Sequence, residues 1–159
     1  NLEDDEKSKF DSYRKKLVNN EINLLDICMK EDLILSTANI APLSHWITPN
    51  IESRRFDTRF FIAYLPEKQI VQHDGMELTQ SLWINPNKAV DMAFKGEMQM
   101  IMPTIKNLQA CSEFTVAKDM LDSQKRLTNK DIPPILPKFF KENGNWVGLL
   151  PGDDGYEDH

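Results

Sequence analysis

The chain has 159 residues, of which 40% are hydrophobic and 28% charged, enough for one globular domain with an apolar core. Its formal net charge of -6 gives no overall attraction to nucleic acid or to an acidic membrane surface, so neither is expected as a partner. No stretch has the apolar length of a membrane span, and Cys28 and Cys111 lack the spacing of a zinc site or a disulfide framework. We therefore expect a soluble, cytoplasmic protein with two free thiols.

Two amphipathic helices are predicted at the N-terminal end. Phe10, Tyr13 and Leu17 keep helical spacing, and an Asn-Asn pair follows them. Apolar residues over 22–29 then recur at the spacing of a second, shorter helix. The first part of the chain is therefore predicted to be helical.

Two antiparallel strands are predicted next. Residues 44–48 form a β-prone segment that Pro49 ends, and a short loop leads to the sequence Arg-Arg-Phe-Asp-Thr-Arg-Phe-Phe at 54–61. From residue 60 to residue 65 both faces of the second strand are apolar. This pattern predicts a central strand that is covered on both sides.

The charges at the start of the second strand admit two interpretations. In an extended chain Arg55, Asp57 and Arg59 share one face, and Phe56, Thr58, Phe60 and Ile62 share the other. Asp57 either pairs with an arginine and locks the end of the strand, as in many proteins, or the arginines bind a ligand. On the second interpretation Arg54, Arg55 or Arg59 faces a phosphate, because guanidinium groups bind phosphate with planar, bidentate geometry.

Short elements and turns make up the rest of the chain. We expect a strand over 81–84, a helix that Asn87 caps, a helix that Thr104 caps and a helix over about 115–126. An Asn-Gly pair at 143–144 predicts a tight β-hairpin.

Glu77 is the carboxylate best placed for metal chemistry. It follows a turn and precedes the predicted strand, where a carboxylate can reach a magnesium ion at the end of a sheet. An ordinary loop glutamate is the alternative, and spacing alone favours that alternative. The three histidines do not cluster in the sequence.

Five short motifs together resemble the Nudix hydrolases, in the branch that includes a coenzyme A diphosphatase. The resemblance covers about residues 40–111 and a patch near 146–154. It implies an α+β fold, the Nudix α/β/α sandwich with a mixed sheet, in residues 1–111, followed by a helical and hairpin extension over 112–159. The motifs are Trp46-Ile47-Thr48-Pro49, Arg54-Arg55-Phe56-Asp57-Thr58-Arg59-Phe60-Phe61, Asp74-Gly75-x-Glu77 with Trp83-x-x-Pro86, Pro103-Thr104, and Leu149-Leu150-Pro151-Gly152-Asp153.

The resemblance also implies an activity. Nudix hydrolases cleave a diphosphate linked to another group with Mg²⁺ or Mn²⁺, so the implied substrate is a small nucleoside diphosphate derivative, with coenzyme A and acyl-CoA as candidates. Glu77 falls where many of these enzymes place an additional acid, which makes it the metal-binding and catalytic candidate. Arg54, Arg55 and Arg59 are the candidates for binding the substrate. A homodimer is left open.

The glutamate-rich Nudix box, with its Arg-Glu-x-x-Glu-Glu core, does not occur in the sequence. In the family these glutamates hold the metal, and phosphoanhydride hydrolysis depends on such a cluster. We therefore expect the chain to be the incomplete C-terminal part of a longer hydrolase and to be inactive alone. A catalytically inactive nucleotide-binding or scaffold module is the alternative. The last three residues do not form a peroxisomal signal, so that location is not expected.

Overall fold

A computed structural model of the chain describes residues 4–67, 69, 71, 73, 75 and 78–159. The chain divides into two compact units, which are described separately. The first comprises Asn1–Ala38 and Pro66–Ile70, and the second comprises Asn39–Leu65 and Val71–His159. Within the described ranges, no helix combines the length and the apolar character that crossing a bilayer requires.

The first unit contains two helices, α1 (Asp4–Val18) and α2 (Leu24–Lys30), and both predicted helices are confirmed. A reciprocal capping box starts α2, in which the Asn23 side chain accepts from the Asp26 N–H and the Asp26 carboxylate accepts from the Asn23 N–H. Sequence spacing had not indicated this box.

The Glu31 carboxylate joins α1 to the end of α2. It accepts hydrogen bonds from Lys9 Nζ at 2.6 Å and from the hydroxyl of buried Tyr13 at 2.5 Å. These two bonds hold the pKa of the Glu31 carboxyl below its ordinary value because they favour the ionised form, and the bond from Lys9 has the larger effect.

The second unit is built on a mixed sheet. Its strands are β1 (Ile40–Ile47), β2 (Asp57–Ala63) and β3 (Pro134–Ile135), in the order β2-β1-β3. β1 pairs antiparallel with β2 and parallel with β3. With the helices below, this sheet gives the expected α+β fold, consistent with a Nudix-like domain.

The prediction that β2 is a central strand is wrong for the part of the chain that the structure describes. β2 lies at the edge of the three-stranded sheet, and the Phe61 side chain is 59% exposed. An apolar run on both faces is typical of a buried strand, but it does not require one. The antiparallel pairing with β1 is as predicted.

Three helices follow in the second unit: α3 (Pro86–Phe94), α4 (Met102–Ser112) and α5 (Ala117–Gln124). All three were predicted, but two caps differ. Asn85, not Asn87, caps α3, and Ile101 occupies the capping position of α4 without a side-chain bond. The strand expected over 81–84 is wrong, since residues 78–85 form neither helix nor strand.

A hairpin of β4 (Lys138–Glu142) and β5 (Asn145–Leu149) confirms the Asn-Gly prediction. Both turn residues have positive φ, 50° at Asn143 and 86° at Gly144, as a type I′ turn requires. Short 3₁₀ helices cover Thr37–Asn39 and Tyr156–Asp158. The second unit contains elements from both sides of residue 111. The domain boundary predicted there stays a prediction.

Candidate functional site

An apolar cavity of about 460 Å³ lies in the second unit, beside β1 and β2 and at the start of α4. This volume is within the range of small-molecule sites, which are typically apolar with a few polar groups. Thr48, Glu52, Arg54 and Thr58 are the polar side chains that line it. Its apolar lining includes Trp46, Phe56, Phe60, Met102, Pro103 and Phe139.

Arg54 lines this cavity from the loop before β2. Phe56, Thr58 and Phe60, which alternate along an extended chain, line it as well. The Arg54 guanidinium lies 5.0 Å from the centre of the Phe56 ring, within the range of a cation–π contact. The cavity therefore has an apolar interior with a guanidinium at its wall.

Arg55 has a different local role. Its Nε donates to the Thr48 carbonyl oxygen at 2.9 Å, while Thr48 Oγ1 accepts from the Phe56 N–H at 3.0 Å. These bonds close the loop between β1 and β2. Arg59 pairs in register with His45, on the strand face opposite Phe60. The structure thus brings one of the three predicted arginines, Arg54, to the cavity. Substrate binding by all three stays a prediction.

The interpretation in which Asp57 pairs with an arginine is wrong. Asp57 Oδ1 lies 2.5 Å from His45 Nε2, across the β1–β2 pair. The His45 side chain is 8% exposed and that of Asp57 is 65% exposed, so a half-solvated carboxylate satisfies a buried ring nitrogen. Both residues can be read from the sequence, but the strand register that brings them together cannot.

Two consecutive side-chain hydrogen bonds connect the cavity wall to α4. Trp46 Nε1 donates to Ser44 Oγ at 3.1 Å, and Ser44 Oγ donates to Asn107 Oδ1 at 2.6 Å. Because Ser44 lies on β1 and Asn107 on α4, these bonds set the position of the Trp46 ring in the cavity. The sequence analysis did not predict these hydrogen bonds. The only sequence feature that pointed to them was a serine two residues before a tryptophan in a β-prone segment.

The metal candidate cannot be placed. Glu77 and its neighbour Asp74 lie outside the described residues. Across the described ranges, no group of three or more His, Cys, Asp and Glu side chains could hold a metal ion. The residues that the structure does place therefore do not fit a magnesium or manganese site by themselves.

The cysteines do not form a second reactive centre in the described part of the chain. Both are free thiols, as expected, but only Cys28 is buried, whereas Cys111 is partly exposed. Burial raises the pKa of the half-buried Cys111 thiol above its ordinary value. A thiol with a raised pKa is a poor nucleophile, because the thiolate is the reactive form.

The mixed sheet and its helices form an α+β domain, consistent with a Nudix-like fold. Residues 2–110 match the family profile described as the NUDT19 Nudix domain. This match covers more than half of the chain, so the chain belongs to the NUDT19 Nudix domain family. No solved structure was found to match it.

Two curated relatives are similar over most of this chain. Acyl-coenzyme A diphosphatase NUDT19 of Xenopus laevis is 26% identical over 160 residues, which cover 96% of this chain and 41% of that protein. The Homo sapiens protein of the same name is 25% identical over 147 residues, which cover 91% of this chain and 39% of that protein. The chain therefore spans less than half the length of these relatives.

Proposed function

We propose that this chain acts as the C-terminal part of a metal-dependent Nudix hydrolase that cleaves the diphosphate of a nucleoside diphosphate derivative, with coenzyme A or acyl-CoA as substrate. The family match and the names of the two relatives support the reaction class. The observation that carries the assignment to this site is the Arg54 guanidinium at the wall of an apolar cavity of about 460 Å³. A cavity of this size and a net charge of -6 both favour a small molecule over nucleic acid.

The reaction breaks a phosphoanhydride bond. Water adds to one phosphorus atom, the bridging oxygen leaves with the other, and the proton of the water is released. Negative charge grows on the leaving phosphate, so a fixed guanidinium near it stabilises the transition state. Arg54 is the residue of this chain proposed for that contact. Its cation–π contact with Phe56 favours some orientations of the guanidinium before substrate binds.

We also propose that the complete protein requires Mg²⁺ or Mn²⁺. When bound, the cation neutralises charge on the diphosphate. The described residues do not supply a cluster of three or more ligands, so further ligands would come from elsewhere in the protein. Glu77 is the candidate within this sequence.

Two measurements on the complete protein test this proposal. Release of phosphopantetheine from coenzyme A should require Mg²⁺ or Mn²⁺ and stop when EDTA is added. Glu77→Gln keeps the size of the side chain but removes its charge, and it should lower the rate. The matched control is Glu67→Gln, a described and exposed loop glutamate on the same connection.

Three outcomes would count against the proposal. Absence of cleavage for every nucleoside diphosphate derivative tried would contradict the hydrolase assignment. Tight binding of coenzyme A without metal and without turnover would favour the inactive binding module instead. Full activity in EDTA would contradict the metal requirement alone.

A further inference from the structure

We propose that the apolar cavity beside Arg54 binds the acyl chain of an acyl thioester substrate. The proposal rests on the proposed function, because that function places a coenzyme A derivative at this site. The names of the relatives state an acyl-CoA substrate for those proteins, but they do not say where the acyl chain lies.

The chemistry of the cavity wall favours an acyl chain over a base or an amide. The polar groups of two wall residues are already engaged within the protein. Trp46 Nε1 donates to Ser44, and Thr48 Oγ1 accepts from the Phe56 N–H while the Thr48 carbonyl accepts from Arg55. Glu52, Arg54 and Thr58 are the remaining polar side chains of the lining. Against the apolar part of the wall, an adenine edge or the two amides of a pantetheine arm would lose water without gaining partners, which costs free energy. A hydrocarbon chain has no such requirement.

The charge at the wall fits the rest of the same molecule. Arg54 offers a guanidinium to an anionic group outside the apolar interior. The pantetheine arm between the diphosphate and the thioester has many rotatable bonds, so it can fold back over the mouth of the cavity. An anionic group at Arg54 and an apolar chain in the interior are thus compatible in one ligand.

The helix end at the cavity does not offer a competing anion site. At the start of α4, Pro103 lacks an N–H, and the N–H groups of Thr104 and Ile105 both bond the Ile101 carbonyl. Ile101, Met102 and Pro103 therefore present apolar side chains to the cavity. This part of the wall favours hydrocarbon over phosphate.

The test is a chain-length series with the complete protein. Coenzyme A, acetyl-CoA, butyryl-CoA and hexanoyl-CoA are titrated by calorimetry in EDTA, so that binding is read without turnover. Each fully buried methylene should tighten binding by up to about fourfold, which is about 0.8 kcal/mol. We expect hexanoyl-CoA to bind at least about tenfold more tightly than acetyl-CoA, since burial of the chain is rarely complete. Equal affinities across the series would overturn the proposal.

Two variants locate the effect at this cavity. Phe56→Ala removes a wall ring that is 51% exposed, and Phe61→Ala removes a 59% exposed ring on the opposite face of the same strand segment. Phe56→Ala should reduce the ratio of the affinity for hexanoyl-CoA to the affinity for acetyl-CoA at least about threefold. Phe61→Ala should leave this ratio unchanged. An equal loss in both variants would overturn the proposal.

A third variant keeps the test decisive if Phe56→Ala does not fold. Ile101 is 69% exposed and occupies the capping position of α4, where aspartate is a favourable residue. Ile101→Asp should therefore preserve the helix while it places a carboxylate at the cavity, and the advantage of the longer acyl chains should disappear. A folded Ile101→Asp protein with an unchanged series would overturn the proposal.

The outcomes also separate this proposal from the proposed function. Cleavage of coenzyme A with no chain-length dependence would overturn the acyl cavity and leave the hydrolase intact. Chain-length-dependent binding without cleavage of any diphosphate would support the acyl cavity and contradict the hydrolase assignment.

Discussion

Replacing Arg54 with alanine should lower kcat/KM while leaving the protein folded. Arg54 is exposed, and its guanidinium makes a cation–π contact with the Phe56 ring. Loss of an exposed contact of this kind lowers the free energy of unfolding by about 0.5–1 kcal/mol. A hydrogen bond to a charged group contributes about 1.5–3 kcal/mol, so kcat/KM should fall about 10- to 150-fold.

Arg55→Ala is the matched control for Arg54→Ala. It removes the same side chain from the adjacent position, but Arg55 bonds the Thr48 carbonyl. The loop between the first two strands should lose about 0.5–1.5 kcal/mol of stability. That loss corresponds to a fall in melting temperature of about 1–6 °C for a domain of this size. Its effect on kcat/KM should be much smaller than that of Arg54→Ala.

The assay is steady-state cleavage of coenzyme A by the complete protein, with melting temperatures measured on the same samples. Arg54→Ala should lower kcat/KM strongly and lower the melting temperature by no more than Arg55→Ala does, whereas Arg55→Ala should lower kcat/KM much less. If Arg54→Ala kept full kcat/KM, or if Arg55→Ala lost as much as Arg54→Ala, the assignment of Arg54 from the cavity geometry would be refuted.

Two further predictions concern stability. A Cβ at position 148 would lie 2.7 Å from the Phe139 ring. Gly148→Ala should therefore lower the free energy of unfolding, measured by urea titration, by about 1–3 kcal/mol. An unchanged urea midpoint would contradict this packing. Hydrogen bonds from Lys9 and Tyr13 lower the pKa of Glu31, so their stabilisation is present above the ordinary glutamate pKa and is lost as pH falls through the folded-state pKa. The melting temperatures of the wild type and Glu31→Gln should therefore converge between about pH 5 and about pH 3, and a constant difference would argue against the lowered pKa.

Local patterns in the sequence predicted most of the helices and the hairpin. The helical spacing of Phe10 and Tyr13 is set within a few turns of chain, and the Asn143-Gly144 turn is set by two residues with positive φ. Such features depend on neighbours in sequence, so the sequence is sufficient to find them. The strand expected over 81–84 failed because a strand needs a partner, and a β-prone composition does not provide one.

The candidate site was predictable only in part. Strand alternation separates Phe56 from Arg55, and the structure keeps that separation, since Phe56 lines the cavity and Arg55 bonds the Thr48 carbonyl. The sequence could not show which face meets α4, because the contact depends on pairing between distant segments, such as Ser44 with Asn107. For the same reason the sequence could not show that His45 is the partner of Asp57, since the register of β1 against β2 decides it.

Cleavage of acyl-CoA by the complete protein in isotopically labelled water tests the central claim most directly. The account predicts that the label enters a phosphate group of one product, in the presence of Mg²⁺ or Mn²⁺, while the thioester stays intact. Mass spectrometry of the products reads both features at once. Label in a released fatty acid, with the diphosphate of coenzyme A uncleaved, would contradict the account.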